Sequence, residues 1–596
     1  MTTRATRSPR RRTVVALAVI LAILAAFVVR LIDIQVVQAD AHVDQSLEFI
    51  AKGTPIPGER GSIVDANGAV LAESVSVYDY NVDPQVVFLL ENDEENPPKM
   101  RWAEAASRIA QITGLDAETL RSAVEARNAA DPDSRWFEVK KGLTAEQHIA
   151  LKELKSQGLS YLHFEERETR VYPNGAVAGN VIGYLDGSGT AQAGVEKMDT
   201  QCLTPTDGEE SYRTGKDGVV IPGSETRTDA VDGGTVQLTI NSDLQWYMQQ
   251  MIAEEAQLQG AKGGTVTVVE VGTGKIRAAA EWPSMDPNDL DAASASGTLT
   301  SKIFSFPFEP GSTFKAVTAA AVMENAGVTM TSPTVVASSH EKFENGAVIN
   351  DAFVHPAFTY TLAGALIDSS NVALSKFGTM VSPDVRYDYL ERFGVSSSTI
   401  GFPGEASGLL HPTSEWDNQS LYTTTFGQYF TVTAPQLAGA YQAIANGGEK
   451  IGLSLVESCT APDGTVEKPS APEHEQIIKP QTAADLTRML ENVAVQGGNA
   501  ERIQVPGYRV TSKTGTAQIP DGNGGYKQGV YYTSMVGFAP VDDPQYVVVV
   551  TLDEPTRITS SAATASAFQK AMTQTMKTYR VMPSSTPMDA LLPKFE

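Results

Sequence analysis

Cysteine is nearly absent from this 596-residue chain, which carries two, and histidine is scarce at seven. Cys202 and Cys459 stand far apart and form no C-x-x-C pair, and the histidines form no H-E-x-x-H or related pattern. Neither a zinc site nor a cysteine redox centre therefore has a motif to stand on, and no metal or cofactor is expected. Two thiols can pair in an oxidising compartment, but spacing alone leaves that open. Basic charge is also short: 46 Lys and Arg face 71 Asp and Glu, for a formal net charge of -25. A nucleic-acid surface needs a basic stripe, and beyond the first residues the chain offers none, which argues against nucleic-acid partners. Internal repeats and low-complexity tails are missing too. With 42% hydrophobic and 20% charged residues, the chain is long enough for two or more domains with real cores.

One long hydrophobic run is present. Arg4, Arg7, Arg10, Arg11 and Arg12 precede an apolar stretch at 13–29, followed by Arg30, Leu31 and Ile32. As helix the stretch covers roughly 25 Å, a little under the roughly 30 Å hydrocarbon core, and Leu31 and Ile32 extend it while Arg30 snorkels. Basic charge ahead of the span predicts a cytoplasmic N-terminus with the rest of the chain outside. A cleaved signal peptide is the competing reading, but no small-x-small site with a polar flank follows the run, which favours an uncleaved anchor.

Residues 31–48 read as helix or stalk, ended by Pro and Gly in AKGTPIPGERG. Ile63-Val64, the turn Asp65-Ala66-Asn67-Gly68 and Ala69-Val70-Leu71 read as a hairpin, because Asn-Gly suits the positive φ of a tight turn. Tyr78, Tyr80 and Val82 alternate as in a strand, 102–159 carries helical spacing, and 167–232 reads as loop and strand. From about Gly233 the character changes. VQLTINSDLQWYMQQMIAEEAQ gives a strand and an amphipathic helix; GGTVTVVEV with IRAAAEW, and SMVGFAPV with QYVVVVTLDEP, give two hairpins. Helices such as TFKAVTAAAVMENAG and TAPQLAGAYQAIANGG lie between them, which suggests one α/β domain whose sheet is closed by strands from both its ends.

The chemistry centres on FEPGSTFKAV at 308–317. Pro310 resists helix, Gly311 permits close backbone approach, and the following residues continue as a helix, so Ser312 sits at or just inside a helix N-terminus. There the free N–H groups favour developing negative charge. Lys315, three residues on, shares its face. To accept the hydroxyl proton it must be neutral, which requires its pKa to fall some three units from about 10.4, at about 4 kcal/mol, through burial or cationic neighbours. Ser and Lys three apart are commonplace, and Ser339-His340-Glu341-Lys342 matches equally well, but it lacks the Pro-Gly lead and the apolar helix.

Two further elements add weight. Ser369-Ser370-Asn371 lies in TLAGALIDSSNVALSKFG, which reads as the junction of two short helices. A hydroxyl there can relay a proton, and the Asn amide can hold a substrate carbonyl and a lysine; the bland reading is a helix cap. Lys513-Thr514-Gly515-Thr516 lies in the strand-like GYRVTSKTGTAQ. Its cation and hydroxyl can bind a carboxylate, Gly515 admits a ligand, and the Thr516 N–H can face an oxyanion; otherwise it is an ordinary edge strand.

S-x-x-K, S-x-N and K-T-G in that order resemble the signature of penicillin-binding proteins and β-lactamases. RGSIVDANGAVLAES (60–74), RVYPNGAVAGNVIGYLDGSGTAQAGVEK (170–197), EWPSMDPN, TTFGQYFTVTAPQLAGAYQAIANGG and MVGFAPVDDPQYVVVV extend the likeness to class B penicillin-binding proteins over nearly the whole chain after the anchor. The resemblance implies a multidomain α/β protein: a basic tail at 1–12, a transmembrane anchor and stalk start at 13–37, an α+β pedestal at 38–232, a transpeptidase domain at 233–582 with an antiparallel sheet flanked by helices, and a tail at 583–596. It implies cross-linking of peptidoglycan stem peptides after attack on D-Ala-D-Ala, with β-lactams trapping the serine. Ser312 would be nucleophile and Lys315 its base. Ser369 would relay protons, and Asn371 would position Lys315 and the acyl amide. Lys513 and Thr514 would hold the substrate carboxylate beside Gly515, and the N–H groups of Ser312 and Thr516 would form the oxyanion hole. One departure stands out: Ala66 occupies a position where the family usually has Arg. The RLIDIQVV run and YRVMPSS resemble division-type more than elongation-type enzymes. No glycosyltransferase-like E-D-x-x-F stretch precedes the pedestal, so a separate SEDS-type polymerase and other division proteins are the implied partners in the membrane.

A DD-carboxypeptidase would use the same serine and pass the acyl group to water; the large pedestal favours the cross-linker. A β-lactamase would need a deacylating base, and no E-x-x-L-N-type segment lies between S-x-N and K-T-G. A β-lactam sensor would carry more spans or a cytoplasmic effector, and an idle division scaffold would have no need of intact Ser312, Lys315 and Lys513.

Overall fold

The computed structural model describes residues 9–33, 51–213, 222–523 and 525–596. Arg4, Arg7 and most of the stalk expected over 31–48 lie outside them. The chain forms two compact units, Met1–Glu59 with Pro205–Gly233, and Arg60–Thr204 with Gly234–Glu596.

In the first unit the helix Pro9–Ile32 contains a 20-residue apolar span, Thr13–Ile32. At about 1.5 Å per residue it matches the hydrocarbon thickness of a bilayer. Among the described residues it is the one helix long and apolar enough to cross a membrane. The same unit holds a three-stranded antiparallel sheet of Ala51–Ile56, Gly208–Arg213 and Thr226–Thr228.

The second unit is built around a five-stranded antiparallel sheet: β1 (Gly263–Glu270), β2 (Ile276–Trp282), β3 (Lys513–Pro520), β4 (Tyr526–Ala539) and β5 (Tyr546–Asp553), in the spatial order β2-β1-β5-β4-β3. Strands from the two ends of the sequence meet where β1 pairs with β5, as the two hairpins predict. The valine run of β5 is buried on both faces: Val547 and Val549 pack into one core with Phe314, Leu437 and Tyr441, and Val548 and Val550 into another with Leu244, Met248 and Phe568. Helices therefore cover both sides, and β3 is left at the edge of the sheet.

Residues 60–204 add a lobe to this unit. Ile63–Val64 and Val70–Val82 form the predicted hairpin, with Gly68 at φ +86°, and Ile63–Val64 pairs in parallel with Thr235–Leu238. Asp65, 1% exposed, accepts from the Asn67 and Ala69 amides and from the Ser242 hydroxyl and amide, so the Ala66 departure leaves this turn fully bonded. The helical expectation over 102–159 needs one correction. Trp102–Thr113, Ala117–Ala130 and Ala145–Ser156 are helices, but Phe137–Leu143 is a strand against Val70–Val82. The segment expected as loop and strand after 167 also contains the short helices Gly179–Ile182, Gly194–Met198 and Thr200–Leu203. Cys202 and Cys459 form a disulfide across 257 residues of sequence, closing the question that spacing left open.

Candidate active site

Gly311 adopts φ +54°, and Gly311–Phe314 then form a single 3-10 turn that runs into helix α1 (Lys315–Asn325). Ser312 thus lies on the 3-10 turn and Lys315 opens the α-helix. Gly427, at φ +86°, backs the turn: its carbonyl accepts the Gly311 N–H at 2.8 Å, and a Cβ on it would sit 1.9 Å from the Gly311 oxygen. Residues 315–322 of α1 are all buried, which explains its many alanines. Among the described residues the Ser312 hydroxyl makes no hydrogen bond.

Ser369 joins helix α2 (Leu362–Ile367) to helix α3 (Asn371–Gly378), and it does so at φ +56°, the left-handed region that a serine enters only when its surroundings hold it there. The strained turn aims its polar atoms at Lys315. Lys315 Nζ lies 2.5 Å from the Ser369 carbonyl oxygen and 2.7 Å from Asn371 Oδ1, both of which accept from it, and 3.3 Å from Ser369 Oγ. From the other side Lys513 Nζ donates to Ser369 Oγ at 2.9 Å. One hydroxyl therefore bridges two lysines, both 0% exposed. Burial pushes the Lys513 pKa down to about 7. Burial also drives Lys315 well below its ordinary value, and the positive charge of Lys513 pushes it further, against a smaller opposing pull from Asp351.

The edge strand β3 closes the site. A Cβ on Gly515 would lie 2.4 Å from Ser534 Oγ and 2.7 Å from the Pro310 carbonyl, so only glycine lets the strand come this near the turn that carries Ser312. The Thr516 backbone packs against Gly311, within 3.4 to 3.6 Å of where a Cβ would stand. Thr514 is half-buried, and Thr516, exposed, accepts the Ser561 N–H at 3.0 Å. The second S-x-x-K match comes to nothing: His340–Lys342 is a short strand paired with Val348–Asn350, and Lys342 is exposed.

Two acidic residues at the site escape sequence reasoning. Glu309, just before the Pro-Gly lead, accepts from the Tyr429 amide at 3.0 Å and from the Tyr526 hydroxyl at 3.0 Å, tying the tip of the β3-β4 hairpin to the approach of the Ser312 turn. Burial raises its pKa. Asp351 grips the turn at Ser369–Asn371 from behind. Neither carries a local motif; only its place in FEPGS could have singled out Glu309.

Residues 264–573 match the penicillin binding protein transpeptidase domain family, and residues 55–238 the penicillin-binding protein dimerisation domain. The chain belongs to the class B penicillin-binding proteins. This penicillin-binding protein is 33% identical to the penicillin-binding protein PbpB of Mycolicibacterium smegmatis, over 92% of this chain and 87% of that one. It is 28% identical to the peptidoglycan D,D-transpeptidase FtsI of Escherichia coli, over 95% and 91% of the two chains. Its structure resembles that of penicillin-binding protein 3 from Mycobacterium tuberculosis complexed with aztreonam, with a TM-score of 0.69 and 27% identity, covering 91% of this chain and all of the other.

Proposed function

We propose that this penicillin-binding protein is a membrane-anchored serine D,D-transpeptidase that cross-links peptidoglycan stem peptides during septal wall synthesis. The observation that carries the reading is the buried pair Lys315 and Lys513 sharing Ser369. A neutral amine has two hydrogens and one lone pair. The two short bonds of Lys315 run to pure acceptors, the Ser369 carbonyl and Asn371 Oδ1, which take those hydrogens and leave the lone pair for a hydroxyl proton. Because the charge of Lys513 presses on Lys315, Lys315 is the first of the two to give up its proton, and below about pH 7 Lys513 remains the cation for an anion.

In this reading Ser312 Oγ attacks the carbonyl carbon of the penultimate D-alanine as its proton passes to Lys315. Ser369 relays a proton to the departing D-alanine amine when the C–N bond breaks, and an ester on Ser312 remains. An acceptor amine then attacks that ester, loses a proton to the same base, and restores the serine hydroxyl. Lys513 and Thr514 hold the substrate carboxylate, Gly515 gives it room, and the N–H groups of Ser312 and Thr516 stabilise the oxyanion; the packing of Thr516 on Gly311 supports that last assignment. β-Lactams acylate the same serine, as the aztreonam complex of the M. tuberculosis neighbour suggests.

We place a pedestal at about 38–232 and the transpeptidase domain at about 233–582, with the N-terminus cytoplasmic and the catalytic part outside. The Cys202–Cys459 disulfide suits an oxidising extracytoplasmic space. A SEDS-type polymerase would supply the glycan strands.

Incubating wild type and Ser312→Ala with a fluorescent penicillin and mapping the labelled peptide by mass spectrometry tests this. A long-lived adduct on Ser312, absent from the variant, is the expected result. Rapid penicillin turnover without an adduct would mean a β-lactamase, and acyl transfer from a stem peptide to water alone a carboxypeptidase.

A further inference from the structure

Asp351 lies on no motif, yet its side chain is 1% exposed and every lone-pair direction of its carboxylate is taken. Oδ1 accepts the Asn371 N–H at 2.5 Å and the Val372 N–H at 3.0 Å; Oδ2 accepts the Ser370 hydroxyl at 2.7 Å and faces His355 Nε2 at 2.8 Å. Its neighbour Asn350 accepts from Asn371 Nδ2 at 2.9 Å, which turns the oxygen end of that amide toward Lys315. Residues 350 and 351 thus fix the backbone and the side-chain orientation of the S-x-N element.

His355 is 5% exposed at its side chain, and both ring nitrogens face acceptors, Nδ1 the Pro356 carbonyl at 2.7 Å and Nε2 the Asp351 carboxylate. A carbonyl cannot donate, so both nitrogens act as donors together only in the imidazolium. Phe358 stacks on the ring at 5.3 Å, and Phe353 and Tyr360 flank it.

We propose that Asp351 and His355 are a positioning pair for the proton relay: Asp351 locks the Ser369–Asn371 turn in the conformation that presents its acceptors to Lys315, and the His355 imidazolium balances Asp351 so that Lys315 faces no unpaired anion. The pair rests on Lys315 acting as the base of serine acylation. Burial lowers the His355 pKa, but its bonds to Asp351 and Pro356 and the charges of Asp351 and Asp368 outweigh that and raise it. The other charged groups facing the pair are Lys315 itself, with Lys513 beyond it, and Asp368, which is paired with Lys594 at 2.6 Å; the Tyr360 phenol completes the set. An unbalanced Asp351 would hold a proton on Lys315 and remove the base.

The test is the pH profile of the second-order rate of acylation by a fluorescent penicillin, measured on the full-length protein in detergent. In His355→Phe the rising limb should move to higher pH by about one unit, because Asp351 is left unbalanced. Adding Asp351→Asn should reverse that shift, since the anion is then gone, while the plateau falls about 10²-fold as the turn loosens. A limb that stays in place in His355→Phe overturns the proposal, and so does a double variant that keeps the shift of the single one. A burial or packing defect would lower the plateau without moving the limb in opposite senses. If the double variant fails to fold, the sign of the His355→Phe shift alone decides. Ser312→Ala, which should abolish labelling altogether, tests the underlying acylation reading separately.

Discussion

Two clusters of buried charge occupy the same compact unit and are built on opposite terms. At the first, Arg60 and Arg170 clasp Glu196, with Nε to carboxylate distances of 2.8 and 2.7 Å and side chains 9%, 6% and 0% exposed. Arg170 donates in addition to the Gly61 carbonyl, and Arg60 to the Glu196 carbonyl. The cluster ties together RGS at 60, RVY at 170 and GVEK at 194, three of the stretches that carry the family likeness. At the second, Lys315 and Lys513 meet around Ser369, and the one nearby anion, Asp351, is itself engaged with His355. Opposite charges in direct contact, here two guanidiniums on one carboxylate, hold segments together, whereas two like charges with no carboxylate of their own oppose the fold. An arrangement of the second kind lowers a pKa, and that supports our proposal that this cluster is the chemical site.

The comparison breaks most sharply at Lys315. Lys315→Met should lower the rate of penicillin acylation by about 10²- to 10⁴-fold, the share a general base supplies, without lowering the melting temperature. A large loss of melting temperature would show that the lysine holds the fold, as Glu196 does. Glu196→Ala should do the reverse: unfolding stability falls by about 3–5 kcal/mol, since two guanidiniums are left buried without a counter-charge, while acylation per folded molecule stays within a few-fold of wild type. A urea titration paired with active-site labelling reads both quantities. Cys202→Ser, which removes the clasp between Thr200–Leu203 and Val456–Thr460, should cost about 2–4 kcal/mol and likewise spare the chemistry.

The same contrast governs what could be read from the sequence. Ser312, Lys315, Ser369, Asn371 and Lys513 are legible because each sits in a short local pattern, and the fold draws four of them, Lys315, Ser369, Asn371 and Lys513, into one hydrogen-bonded group. Both hairpins of the central sheet are legible for the same reason: the valine run and the turn residues act over a few positions. Asp351 is not, because its partners Asn371 and Ser370 come to it only through the pairing of His340–Lys342 with Val348–Asn350 and the packing of α3. Phe137–Leu143 was open to misreading for a different reason. It ends its sheet as an exposed edge, and the lysines that protect such an edge give FEVKKGL the composition of a helix. The Cys202–Cys459 bond depends on a meeting of distant segments that no spacing encodes.

The effect at Lys513 is the most gradual, and its sign follows from linkage. The pKa of Lys513 is about 7 in the folded site, against an ordinary 10.5. Below about pH 7 folded and unfolded chains both hold the proton, and the cost of burying the cation is fully present. Between about 7 and 10.5 the unfolded chain holds a proton that the folded site has released, so this lysine makes stability rise with pH, by at most about 1.4 kcal/mol per unit. Lys513→Met removes the contribution altogether. The variant should therefore unfold at higher urea than wild type at pH 6, with the gap narrowing steadily toward pH 10, as midpoints measured on both proteins across that range would reveal. A gap that does not change with pH would mean that the Lys513 charge costs the fold nothing, and the contrast with the Arg60, Arg170 and Glu196 cluster would then rest on Lys315 alone.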